Sequence, residues 1–183
     1  VPKCGDVREA YVNVERGPED AVVVKGTRLE LTCSFAVVPQ ATITWLHNGK
    51  IVAIHHRPTA DNLLQKELLG LGTLESRYTV ECATEADAGE YTCVANAPCV
   101  KPEETKPAIV IVKTAPRPVP TCNPQEAAPT ITMYSAFRAD YLGNPIQLVC
   151  RTQNAKEVTW QHMSYTEEGH TIIEEIDDQP GYM

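Results

Sequence analysis

The sequence predicts an all-β protein, two antiparallel β-sandwiches in tandem with the second incomplete within the chain. Three observations predict it. Short runs alternate apolar and polar residues with a period of two, as in "LELTCSF", where Leu29, Leu31, Cys33 and Phe35 share one face. Turn residues, rather than helical segments, separate these runs. The pattern then restarts after a stretch crowded with proline. Composition agrees. Of 183 residues 43% are apolar, enough for a packed core, and the frequent valine and threonine suit strands.

The first unit is read over residues 1–114. After "LELTCSF" comes "TITWLHNGK", in which Ile43 and Trp45 share a face and Asn48-Gly49 is a strong turn dipeptide. "SRYTVECATEADAGEYTCVAN" supplies two strands, with Tyr78 and Val80 inward on one and Tyr91, Cys93 and Ala95 inward on the other. "PAIVIVK" is a last strand, apolar on both faces. Residues 115–129 form a linker. Prolines 116, 118, 120, 124 and 129 fall in or beside it and make it extended and semi-rigid. Residues 130–183 restart the pattern. "TITMY" reads as an edge-type strand, "GNPIQLVC" places Ile146, Leu148 and Cys150 on one face, and "VTWQH" places Val158 with Trp160. "GHTIIEEI" supplies the next strand.

Trp45 lies twelve residues after Cys33, Cys93 sixty residues after it, and Tyr91 two before Cys93. With the corner Asp87-Ala88-Gly89, this resembles the immunoglobulin domain: a disulfide between the sheets, a tryptophan packed on it and a tyrosine that bonds back to the corner. Gly89 suits a corner that needs positive φ. The resemblance implies that Cys33 and Cys93 are bonded. Closing a loop of that length stabilises the fold by roughly 4 kcal/mol in the chain-entropy account. Cys150 and Trp160, ten residues apart, repeat the first part of the pattern. No second "DxGxYxC" follows before Met183, so the partner of Cys150 is expected in natural sequence continuing about 40–50 residues further.

Four of the seven cysteines remain: Cys4, Cys82, Cys99 and Cys122. In a sandwich of this kind Cys99 and Cys4 belong at one end, Cys82 and Cys122 at the other. The pairing Cys4–Cys99 with Cys82–Cys122 fits that layout. Cys4–Cys122 with two free thiols is the alternative. Seven cysteines without any CxxC spacing indicate disulfides in an oxidising compartment rather than a zinc or thioredoxin-type site.

Net charge of −8 argues against a general nucleic-acid role, which needs clustered Lys and Arg. No apolar run approaches the ~20 residues that cross a bilayer, so no membrane insertion is expected. The N-terminus "VPKCGDVREA" lacks a signal-peptide pattern, as expected of a processed chain. His47, His55 and His56 fall on or near neighbouring strands, but adjacent His55 and His56 point to opposite faces. They read as exposed polar residues, and no metal or cofactor is expected. The sequence contains no GxSxG, HExxH, P-loop or GxGxxG motif, so no enzyme is expected. In "ADNLLQKELLGLGTLES", Leu63, Leu64, Leu68 and Leu69 recur at helical spacing after an Asp61 cap. Together with Leu71 they are read either as cover for the sandwich or as apolar anchors for a partner.

The two-unit size, the proline-rich linker and the run "LGNPIQLVCR...VTWQH" resemble the secreted two-immunoglobulin "zwei-Ig" proteins of nematodes and the insect insulin-binding two-immunoglobulin protein. That resemblance implies a secreted, extracellular protein that captures insulin-like peptide hormones and modulates their signalling. The alternative is a neuronal adhesion or axon-maintenance factor that binds cell-surface receptors.

Overall fold

Alternation of side chains becomes strand wherever one face finds a core. The structure, a computed structural model, describes residues 11–38, 40–57, 71–115, 122–143 and 146–176. Its strands in the first unit are β1 (Tyr11–Arg16), β2 (Ala21–Val24), β3 (Leu29–Val38), β4 (Thr42–His47), β5 (Lys50–His55), β6 (Leu71–Val80), β7 (Gly89–Asn96), β8 (Glu103–Glu104) and β9 (Ala108–Lys113). After the linker come β10 (Thr130–Ala139), β11 (Cys150–Gln153), β12 (Trp160–Tyr165) and β13 (Thr171–Ile176). One sheet has the order β1-β3-β6-β10-β11, and the facing sheet runs β2-β9-β7-β4-β5 with β8 paired to β7. β12 and β13 form a separate antiparallel hairpin.

The two large sheets enclose one core. Leu29, Leu31, Cys33 and Phe35 of β3 face Ile43 and Trp45 of β4 and Tyr91 and Cys93 of β7. Cys33 is bonded to Cys93 across the sheets, and the Trp45 ring lies 5.9 Å from that of Tyr78 in the same core. Cys82 is bonded to Cys122, which ties the linker to the chain just after β6. Cys99 is disulfide-bonded, and its expected partner Cys4 lies outside the described residues. Cys150 carries a free thiol, which burial holds in its protonated form.

Turn chemistry positions the strands. Asn48 and Gly49 both take positive φ, 48° and 76°, between the paired residues His47 and Lys50. That is the two-residue reversal that matches strand twist. The Asn48 side chain accepts a hydrogen bond from the Glu90 N–H at 2.9 Å. It lies so close to Gly89 that a Cβ there would meet Asn48 Oδ1 at 2.5 Å, and Gly89 has φ of 138°. Only glycine suits that position. The corner before β7 is a single 3-10 turn, Glu85–Asp87, in which the Asp87 carboxylate accepts from the Thr84 N–H and hydroxyl. The Tyr91 hydroxyl donates to the Asp87 carbonyl oxygen at 2.8 Å. Tyr91→Phe keeps the buried ring but removes this bond, so it should cost about 1 kcal/mol in a urea titration. An unchanged midpoint would show that the corner does not depend on the hydroxyl.

Beyond the linker the structure departs from the sequence reading in three ways. β10, read as an edge strand, is internal: it pairs with β6 from Met133↔Ser76 to Ala139↔Leu71 and with β11 on its other side. The face predicted at 146–150 is reversed. Ile146 and Leu148 are 49% and 43% exposed, whereas Gln147 and Val149 are 6% and 5% exposed. A one-residue shift exchanges faces, and here the Ser135–Val149 hydrogen bonds, 2.9 and 3.0 Å, set the register. Val158 and Trp160 do not close a second core: Val158 is exposed and Trp160, half-buried, begins the separate hairpin. Met133 and Val149 belong instead to the core of the first sandwich.

Candidate protein-binding face

The strands that bury Trp45, Tyr91 and Cys93 inward present their alternate residues outward. On β4 these are Thr44 and Leu46, on β7 Thr92 and Val94. Register brings them together: Leu46 is opposite Thr92 and Ile51, and Thr44 is opposite Val94 and Ile54. β5 is an edge strand of its sheet and adds the exposed apolar residues Ile51 (61%) and Ile54 (44%). A shift in the β4–β5 register between Trp45 and Leu46 sets Ile51 and Ile54 three residues apart on the same outer face. The result is an apolar surface across three adjacent strands.

Its polar rim is mostly acidic. Glu104 on β8 accepts a hydrogen bond from the Thr92 hydroxyl at 2.9 Å, and exposed Glu90 precedes it on β7. Lys50 stands at the tip of the β4–β5 hairpin. The same outer face continues as Ile109 and Ile111 of β9, with Val22 of β2 paired to Ile111. Sequence reasoning assigned "PAIVIVK" two apolar faces but named no site there. The outward positions of β4, β5 and β7 were legible as the alternates of the core positions. What the sequence lacked was the knowledge that nothing else covers them among the described residues.

The residues singled out as partner anchors fare differently. Leu63, Leu64, Leu68 and Leu69 lie outside the described residues. Leu71 is described: it is exposed, opens β6 and pairs with Ala139. Two of the histidines read as exposed polar residues are structural instead. The His47 ring stacks on Tyr91 at 4.3 Å and its Nε2 donates to the Ala88 carbonyl at 2.9 Å. His55 is half-buried, with Nδ1 2.7 Å from the Ser76 hydroxyl. His56 is exposed. Among the described residues no group of His, Cys, Asp and Glu is arranged to hold a metal, and no helix is long and apolar enough to cross a membrane.

An immunoglobulin-domain family model matches residues 13–96. "Zwei Ig domain protein zig-4" of Caenorhabditis elegans is 26% identical over 161 residues, covering 86% of this chain and 61% of the relative. "Zwei Ig domain protein zig-2" of the same organism is 27% identical over 148 residues, 79% of this chain and 60% of the relative. The chain therefore spans about three fifths of the length of these curated relatives. Among solved structures, a titin M10–obscurin-like 1 immunoglobulin complex is similar over 60% of this chain and all of that one, with 23% identity and a TM-score of 0.44. With its disulfide, buried tryptophan and tyrosine corner in place, the matched region is an immunoglobulin domain, and over most of its length the chain is similar to the zwei Ig proteins.

Proposed function

We propose that this chain is an extracellular binding protein that takes a polypeptide partner on the outer face of β4, β5 and β7. The observation that carries this reading is the apolar surface of exposed Ile51 and Ile54 with half-buried Leu46 and Val94 beside them, rimmed by Glu90 and Glu104. Such patches on an otherwise polar surface mark interaction sites. The rim suits a partner whose own apolar patch is bordered by basic residues. Two disulfides joining described cysteines support an oxidising, extracellular setting. A flat sheet face accepts the apolar side of a small folded hormone, and the resemblance to secreted two-immunoglobulin proteins nominates an insulin-like peptide. The regulatory role is then sequestration or carriage of that hormone.

The test is a titration of the chain against a panel of insulin-like peptides. The double variant Ile51→Glu, Ile54→Glu should weaken binding at least 10-fold, because a few apolar anchors dominate such interfaces and two central ones are lost. Both side chains are exposed, so the melting temperature should hold. Equal affinity in the folded variant would move the site off this face. If no insulin-like peptide binds the native chain at high micromolar concentration, the hormone reading falls. A cell-surface adhesion partner on the same face becomes the reading to test next.

A further inference from the structure

On the opposite sheet the structure holds a second feature, independent of the apolar face. β10 pairs with β6 only as far as Met133↔Ser76. Toward its N-terminal end β10 stays paired with β11 on its other edge, through a register shift between Ile131 and Met133 to Thr130↔Gln153, but has no partner in β6. β6 continues for four more residues, Arg77 to Val80, held by β3 on one side only. On the other side no strand among the described residues meets them. Between the diverging strands lies a cleft of about 630 Å³. Thr79 and Val80 form one wall, Thr130 and Gln153 the other, and Gln125 lines it from the short turn that follows Cys122. The Cys82–Cys122 disulfide ties the base of the cleft and holds that turn in place.

We infer that this cleft is a strand-accepting site for a short extended peptide. Both walls are strand edges, and unpaired edges of this kind recruit added strands through main-chain hydrogen bonds. The stretch that lines the cleft, Thr79 and Val80 of the open edge with Glu81 and Cys82 after it, spans about 13 Å, the length of a four-residue extended segment. The volume lies in the range of small-ligand pockets. The one ionised group on the lining is Glu81, whose carboxylate lies 3.8 Å from Arg28. The other lining side chains are neutral, so the site favours a peptide with uncharged or basic side chains and no carboxylate of its own. Backbone pairing supplies the affinity, and Thr79, Gln125 and Gln153, able to bond polar side chains, supply specificity.

The probe is the unlabelled peptide acetyl-Thr-Val-Lys-Thr-Val-amide, titrated against the intact, oxidised chain by isothermal titration calorimetry. Binding in the micromolar to sub-millimolar range is expected. The same peptide N-methylated on alternate residues keeps its side chains but loses backbone donors, and it should bind at least 10-fold more weakly. Hydrogen exchange at residues 77–80 should slow when the unmodified peptide is added. Gln125→Trp, which fills the cleft from an exposed position, should weaken binding at least 10-fold while the Ile51→Glu, Ile54→Glu variant leaves it unchanged. Absence of binding at 1 mM, equal binding of the N-methylated peptide, or unchanged exchange at 77–80 would overturn the proposal. The peptide comparison is made on the native chain, so it decides the matter even if the tryptophan variant does not fold.

Discussion

Met133→Ala should lower the stability of the first sandwich by about 2–4 kcal/mol, although Met133 lies beyond the linker. The side chain is 0% exposed and belongs to the same core cluster as Trp45, Phe35 and Leu74. It enters that core because β10 pairs with β6 and so completes the sheet opposite Trp45. Removing three heavy atoms loses their transfer energy and leaves a cavity that close-packed neighbours fill only in part. For a chain of this size the expected fall in melting temperature is about 6–12 °C. Met133→Asp should cost more, since it buries a carboxylate without a partner. Phe137→Ser on the same strand is the control: Phe137 is 56% exposed and should matter little. Trp45 fluorescence, read in a Trp160→Phe background, reports the first sandwich alone. A Trp45 transition unmoved by Met133→Ala would mean that residues 130–183 fold as a unit of their own, as their sequence pattern reads.

That outcome bears on what sequence can and cannot specify here. The inter-sheet signature was legible because each of its parts is marked locally and the spacing between them, sixty residues from Cys33 to Cys93, is characteristic. Alternation puts Cys33, Trp45, Tyr91 and Cys93 inward, and the Asn48-Gly49 and Asp87-Ala88-Gly89 corners need backbone conformations that those residue types favour. The outward face of β4, β5 and β7 follows from the same alternation. The placement of β10 was not legible, since pairing between strands more than fifty residues apart leaves no local trace. Nor was the choice between Ile146 and Leu148 or Gln147 and Val149. It rests on a one-residue register set by Ser135, and the more apolar pair lost. The leucines at 63–69 lie outside the described residues, and the face proposed on β4, β5 and β7 uses positions that the sequence reading had left as ordinary strand.

His55 was also read as surface, and the last expected result concerns it: stability should fall by about 2 kcal/mol between pH 6.5 and pH 4 on its account. Trp45 Nε1–H donates to the Ser76 hydroxyl oxygen at 2.9 Å, and Ser76 is fully buried. The Ser76 O–H then needs an acceptor, and His55 Nδ1 at 2.7 Å is the one in place. Protonating Nδ1 would remove that acceptor and leave a buried hydroxyl donor unpaired. The charged groups near the ring are also unfavourable. Arg151 reaches across from β11, where its guanidinium donates to the Arg57 carbonyl at 3.4 Å, and His56 is adjacent on the chain. Burial, then Arg151, then His56 lower the His55 pKa from 6.5 to about 4. Because the folded value lies below the unfolded one, the unfolded chain takes up the proton first as pH falls. Stability is therefore whole above pH 6.5, declines between 6.5 and 4, and is not reduced further by this group below 4. The full shift corresponds to about 3 kcal/mol, and a half-buried ring still in contact with water keeps about 2 of that. His55→Asn offers Ser76 an acceptor that does not titrate, so subtracting its pH–stability curve from the native one isolates this histidine from the carboxylates that protonate in the same range. The native chain should lose about 4–8 °C more than the variant over that interval. An NMR titration that finds His55 near 6.5, or two curves that run parallel, would show that the Trp45–Ser76–His55 chain does not hold the ring neutral.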